Sequence, residues 1–179
     1  MAYWQSRGLR GSELEEIINL TNDMYRTKNI ALIQKVPTPI TPISIDKQKK
    51  VITLAYFDQK STVDYIGVAQ GIAICFDAKQ TASTSLPLAN IHQHQIDFMD
   101  DFISQGGVSF IIVHFKKVDE YYLVPFEILG TYFRNAQKGG RKSIPYKEFE
   151  NAYKIEIEAN IYLHYIKALQ KYIDECEIV

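Results

Sequence analysis

The run STVDYIGVAQGIAICFDAKQ, residues 61–80, limits the fold of this chain more than any other part of it. Two apolar segments meet at Gln70-Gly71, and a two-residue hairpin turn of type I′ wants positive φ at its central positions, which glycine supplies at the second. With Gln70-Gly71 at the tip, directly opposed residues carry numbers that sum to 141. Ala69 then faces Ile72, Gly67 faces Ile74, Asp64 faces Asp77 and Thr62 faces Lys79. Opposed residues share a face and each strand alternates with period two. Thr62, Asp64, Asp77 and Lys79 are therefore expected on one side, and Val63, Tyr65, Ile74, Phe76 and Ala78 on the other. A register shifted by one residue would send Asp64 to the face opposite Asp77.

Two carboxylates opposed across an antiparallel pair have Cβ atoms about 5 Å apart, and like charges so placed destabilise a sheet. The repulsion is offset either by a proton held on one of them or by a cation between them. Oxygen-only ligands suit a hard ion such as Mg2+ or Mn2+, which takes one or two protein carboxylates and keeps room for water and substrate phosphate. Lys79, one side chain along from Asp77, can orient or deprotonate water, or meet charge that develops on a phosphate. Taken alone, a D-x-K is more often a surface ion pair on an edge hairpin. The facing Asp64 and the apolar neighbours Ile66, Val68, Ala73 and Cys75 count against that here, because charges inside a buried strand are expensive unless they work.

Ser12 and Glu15 make a capping box ahead of Leu14, Ile17, Ile18, Met24 and Tyr25, whose spacing predicts an amphipathic helix over about 12–28. Pro37, Pro39 and Pro42 precede ISIDKQKKVITLAYF, a predicted protruding hairpin of about 35–54 whose polar tip carries Lys47, Lys49 and Lys50. Asn90 is read as the N-cap of a helix that carries Ile91, Gln95, Phe98, Met99 and Phe102. VSFIIVHF and EYYLVPF read as strands, followed by a short helix over roughly 127–135 and a last amphipathic helix near 160–175. Helices on both sides of a buried set of strands make an α/β sandwich. No internal repeat or linker divides the chain, so residues 1–179 are expected to form a single domain.

The net charge is −1, yet its distribution is uneven: residues 1–60 hold nine Lys/Arg against six Asp/Glu, residues 61–120 three against seven, and residues 121–179 eight against eight. Arg134-Asn-Ala-Gln-Lys-Gly-Gly-Arg-Lys142 gathers four cations and no acid. Cys75 and Cys176 are far apart and outside any CxxC spacing, so neither a disulfide framework nor a zinc site is signalled. Cys75 is expected to be a small core residue. His92 and His94, at i and i+2, are expected to diverge on a helix rather than share an ion, and to serve in packing or phosphate contact. No apolar run has the length of a membrane span or of a signal-peptide core, and a cytoplasmic protein with no membrane partner is expected.

The order of segments RGSELEEIINLTNDMYRTKNIALIQKVPTP, STVDYIG, FDAKQT, LPLANIHQHQIDFM and GGRKSI resembles the RecU Holliday junction resolvase family, also known as penicillin-binding-protein-related factor A. Within it, Asp64 followed by Asp77-Ala-Lys79 resembles the PD-(D/E)xK nuclease motif, which is short and weak alone. The resemblance runs from about Arg10 to Ile144. It implies a restriction-endonuclease-like fold, with a mixed central sheet flanked by helices and a hairpin stalk. It also implies a homodimeric, Mg2+- or Mn2+-dependent endonuclease that resolves four-way DNA junctions in recombination and repair, with a recombinase as a possible partner. Asp64 and Asp77 match the family's metal carboxylates and Lys79 its catalytic lysine. Thr62 and Gln95 match positions around the metal, and Glu15 an acid kept on the first helix of related resolvases. Arg10, Arg141 and Lys142 match basic positions that grip phosphates, and Lys47, Lys49 and Lys50 would meet phosphates near the crossover.

The chain departs from the family pattern in places. Asp77 stands where the family motif has the glutamate of FEAK, one methylene longer, which points the metal preference toward Mn2+. Ile-Tyr-Leu-His-Tyr165 replaces a PR-x-DY segment, so a basic contact is not expected there. The slightly acidic charge implies modest, salt-dependent DNA affinity. Two rivals follow: a restriction-like nuclease acting on other branched DNA, and a DNA-binding or recombinase-modulating protein whose catalysis is weak or lost.

Overall fold

A computed structural model describes residues 13–57, 62–158 and 160–176. In chain order the elements are α1 (Glu13–Thr27), β1 (Ala31–Lys35), β2 (Ile40–Asp46), β3 (Val51–Phe57), β4 (Tyr65–Ala69), β5 (Ile72–Thr81), β6 (Ser85–Pro87), α2 (Gln93–Ser104), β7 (Val108–Phe115), β8 (Glu120–Pro125), α3 (Phe126–Gln137), β9 (Ser143–Pro145), β10 (Tyr153–Ile155) and α4 (Tyr165–Cys176). Six strands form one mixed sheet in the order β1-β4-β5-β7-β8-β10, in which only β5 and β7 run parallel. The crossover between them carries α2, as a parallel connection requires.

The sheet separates two apolar cores, and strand alternation decides which side chain enters which. Phe76, Phe110 and Ile112 pack with Leu14 and Ile18 of α1 and Leu169 of α4. Cys75, Ile111 and Val113 pack on the other side with Met99 of α2 and Leu129 of α3. All eight residues of β7 are buried, which explains why its sequence is apolar except at Ser109 and His114, both of which have partners. No described helix is long and apolar enough to cross a membrane.

The β4–β5 turn is as the sequence predicts. Gln70 and Gly71 have φ of 50° and 93°, and Ala69 opposes Ile72 while Tyr65 opposes Phe76. One expected face is wrong: Val63 joins Cys75 and Met99 rather than Tyr65 and Phe76. The ladder stops at Tyr65, so period-two alternation no longer holds two residues upstream of it.

The lysine-tipped hairpin is present as the separate ribbon β2–β3 and spans Ile40–Phe57 rather than 35–54. Lys35 and the residues before it belong to the central sheet as β1. Pro37 and Pro39 lie between the two elements, where they lack the N–H that a ladder needs. Asp46 Oδ1 accepts hydrogen bonds from the N–H groups of Gln48 and Lys49, both at 3.0 Å, which shapes the tip.

The second helix also begins differently. Asn90 ends a short 3-10 turn, and α2 is capped at His92, whose N–H donates to Gln95 Oε1 at 3.0 Å. This reciprocal grip, available because Gln95 stands three residues on, outcompetes a cap at Asn90.

Strand β1 approaches β4 closely at Gly67, where an added Cβ would lie 2.3 Å from the Leu32 carbonyl oxygen and 2.7 Å from Ile33 Cα. Both are backbone atoms, so β1 would have to move. Gly67→Ala is expected to cost roughly 1–3 kcal/mol, read as a lowered thermal midpoint; an unchanged midpoint would show that β1 is not held this tightly.

Candidate active site

Where β4 and β5 part, the two aspartates take over from the ladder. Asp77 Oδ1 accepts a hydrogen bond from the Asp64 N–H at 2.8 Å, and Asp64 Oδ2 accepts one from the Ala78 N–H at 2.9 Å. Each carboxylate thus grips the backbone of the opposing strand. The Asp64 carbonyl in turn accepts from the Val36 N–H at 2.8 Å, which anchors the segment leading out of β1.

Asp77 is fully buried, and Lys79 Nζ stands 3.1 Å from its Oδ2 with its side chain 15% exposed. That contact is an ion pair without hydrogen-bond geometry: Asp77 Oδ2 is buried with no hydrogen-bond partner. Burial, and then the charge of Asp77, push the Asp64 carboxyl up to about 6; the Ala78 N–H and the Lys79 charge pull the other way. A divalent cation would answer both anomalies, since it would occupy the unbonded lone pairs and favour the charged form of Asp64. Among the described residues no group of three or more His, Cys, Asp or Glu side chains is poised to hold a metal. Two carboxylates with open positions are what a hard ion shared with substrate phosphate and water uses.

The remaining predicted residues are placed as follows. Glu15, in the first turn of α1, forms an ion pair with Lys35, and its charge is felt at Asp64. Thr62 is half-buried and precedes the ladder; Gln95 is buried in the first turn of α2. Neither hydrogen-bonds to the carboxylate pair. Lys47, Lys49 and Lys50 are exposed at the ribbon tip, and Arg141 and Lys142 are exposed ahead of β9. Arg10 and the capping residue Ser12 lie outside the described residues.

Cys75 is buried as expected, with Sγ 3.2 Å from Ser109 Oγ. His92 and His94 correct the expectation of divergence: their rings stack with centroids 5.4 Å apart, because His92 lies before the helix and is not bound by its angular spacing. The turn Lys116-Lys117 gives no signal as a sequence beyond that of a solvated turn. The parallel register of β5 and β7, invisible in the sequence, brings it to the same end of the sheet as Lys79.

Two interlocked carboxylates and a lysine, carried on the central hairpin of a mixed sheet between two helical layers, define an α/β protein with a D…D-x-K site. The sequence profile of the family described as Recombination protein U matches residues 9–171, and the chain belongs to that family. It is 42% identical over 176 residues to the Holliday junction resolvase RecU of Lactococcus lactis subsp. lactis, which covers 96% of this chain and 80% of that protein. It is 46% identical over 146 residues to the Holliday junction resolvase RecU of Oceanobacillus iheyensis, covering 79% of this chain and 74% of the relative. Among solved structures, Archaeoglobus fulgidus Hjc, a Holliday junction resolvase from an archaeal hyperthermophile, aligns with a TM-score of 0.44 at 9% identity, over 75% of this chain and 93% of that one.

Proposed function

We propose that this chain is a divalent-metal-dependent endodeoxyribonuclease that resolves four-way DNA junctions by paired nicks in homologous recombination and DNA repair. The observation that carries the reading is the interlocked Asp64–Asp77 pair beside Lys79, with one oxygen of the buried Asp77 unbonded. Membership of a family whose relatives are named Holliday junction resolvases supports the substrate.

Asp64 and Asp77 would hold Mg2+ or Mn2+, with Thr62, Gln95 and Glu15 at the margin of the site. A hard cation there supplies Lewis acidity to the phosphodiester and its attacking water. Lys79 contributes a fixed positive charge, 3.1 Å from Asp77 Oδ2, for the negative charge that grows on the phosphate. Its half-buried position keeps bulk water from screening that charge. Arg10, Arg141 and Lys142 hold phosphates of the arms, and Lys47, Lys49 and Lys50 reach phosphates near the crossover. Resolution needs two nicks related by an approximate two-fold axis, which a C2 homodimer presents. The fold acts as one nuclease domain with a stalk, in the cytoplasm and with a recombinase as a partner.

The test uses labelled four-way, flap and linear duplexes with Mg2+, Mn2+ or EDTA. Symmetric paired nicks confined to the four-way substrate, and absent in EDTA, are expected. Cutting of flaps with equal efficiency would give the protein to the other branched-DNA nucleases, and binding without cutting in either metal would make it a DNA-binding protein.

The raised Asp64 carboxyl fixes the sign of a pH effect. Its ordinary value is 3.8 and it titrates near 6 in the fold, so folding takes up a proton between these values. Without metal, the stability it contributes is present below the lower value and lost as pH rises through the higher. A cation must displace that proton, so its apparent affinity should fall up to tenfold per pH unit below about 6. Calorimetric titration with Mn2+ at about pH 7.5 and about pH 5 checks this; equal affinities would remove Asp64 from the ligand set.

A further inference from the structure

Three acid-free stretches meet at the carboxyl end of β5. Residues 78–96 contain no Asp or Glu, nor do 134–147, nor does the turn 116–118. They are far apart in sequence but joined by backbone hydrogen bonds. The Lys116 N–H donates to the Thr81 carbonyl at 2.9 Å, the Tyr146 N–H to the Thr84 carbonyl at 3.0 Å, and the Leu88 N–H to the Lys142 carbonyl at 3.1 Å. Pairing of β6 with β9 closes the seam. In a chain of net charge −1 this gathers a local excess of positive charge, bordered by Asp97, Asp119, Glu120 and Glu148, and such an excess is where an anionic polymer is drawn.

Lys116 and Lys117 occupy the β7–β8 turn and both are exposed. The two acids that follow them each have hydrogen-bond partners, although Asp119 stays largely exposed. Asp119 Oδ1 accepts from His114 Nε2 at 3.0 Å. Glu120 accepts from Lys154, from Tyr146 and, at 2.7 Å, from Tyr122. Those bonds, with Lys154 the largest influence, hold its carboxyl down to about 2. No ion pair ties up Lys116 or Lys117 among the described residues. Val113 is in register with Lys79, so Lys116 lies three residues further along the same parallel pair. At roughly 3.3 Å per residue that is about 10 Å beyond the catalytic lysine.

We propose that Lys116 and Lys117 bind phosphates of the DNA strand that enters the Asp64–Asp77 site, opposite Arg141 and Lys142 across the Thr81–Thr84 turn. The proposal rests on the nuclease reading above and adds to it a path for the substrate. With the duplex axis along β5, an offset of about 10 Å would span about three phosphates at the roughly 3.4 Å axial spacing of one strand. Two lysine charges there fix the register of the backbone and read no base. The strand then crosses the end of β5 between two basic banks, and a phosphate is presented to Lys79 whatever its sequence.

The experiment measures binding of a labelled four-way junction by fluorescence anisotropy in EDTA, over a series of salt concentrations, for the wild type and K116Q/K117Q. The double variant is expected to bind several-fold more weakly, with a log–log salt slope shallower by about two, at an unchanged thermal midpoint. K116R/K117R should restore the wild-type slope, and Lys171→Gln, on α4 across the sheet, should leave it unmoved. A wild-type slope in K116Q/K117Q, or an equal loss in Lys171→Gln, overturns the proposal. Cutting by the wild type in Mn2+ is scored separately. A wild type that binds but never cuts defeats the nuclease reading, while the slopes still decide the phosphate contact.

Discussion

Asp77→Asn is expected to lower junction cutting on the order of 10³-fold or more, while junction binding in EDTA stays intact or tightens because a buried negative charge facing DNA is gone. The fold should survive. An amide oxygen can still accept from the Asp64 N–H, which Asp77 Oδ1 holds at 2.8 Å in the native chain. A second readout separates loss of chemistry from loss of structure. Without its charged neighbour, the Asp64 carboxyl should titrate below its native value of about 6, since Asp77 is the larger of the charges that raise it. Cleavage assays, anisotropy and carboxyl NMR titration on one preparation check all three. Simultaneous loss of cutting and binding, with Asp64 unmoved, would mean that Asp77 is a structural residue.

Phe76→Ala should have the largest effect on stability. The ring is fully buried one residue before Asp77, stacked between Tyr65 at 4.8 Å and Phe110 at 4.9 Å, with Tyr165 tilted against it at 5.2 Å. The stack ties three strands to α4. A Phe→Ala truncation of this kind costs about 3–5 kcal/mol, a large share of the roughly 5–15 kcal/mol that holds a domain together. For a chain of this size that amounts to roughly 6–20 °C in thermal midpoint, measurable by circular dichroism. A drop of only a degree or two would show that the core closes around the gap and that the stack carries little of the cohesion.

The meeting of Asp64 and Asp77 in the candidate site could be read from the sequence because it is local. One glycine-marked turn sets the register, and Asp64 and Asp77 lie thirteen residues apart on its two arms, so period-two arithmetic brings them together. What arithmetic could not supply is the manner of their meeting. It treats Asp64 as a rung of the ladder, whereas the ladder ends at Tyr65 and the carboxylates bond to opposing backbone. Val63 changes sides for the same reason. The helix cap at His92 was obscured by Asn90, a residue type with a stronger intrinsic preference for that position. Strands β6, β9 and β10 have three residues each, too few for any period to register, and exist through pairing with distant partners. The position of Lys116 beside Thr81 depends wholly on such long-range pairing.

The ribbon β2–β3 contributes no side chain to either apolar core among the described residues, although Ile43, Leu54 and Phe57 are large and more than half exposed. Its sequence is thus released from the steric bookkeeping that governs the interior. Lengthening, shortening or recolouring it leaves the thermodynamic foundation of the molecule untouched, and natural variation along it should track only the surfaces it meets.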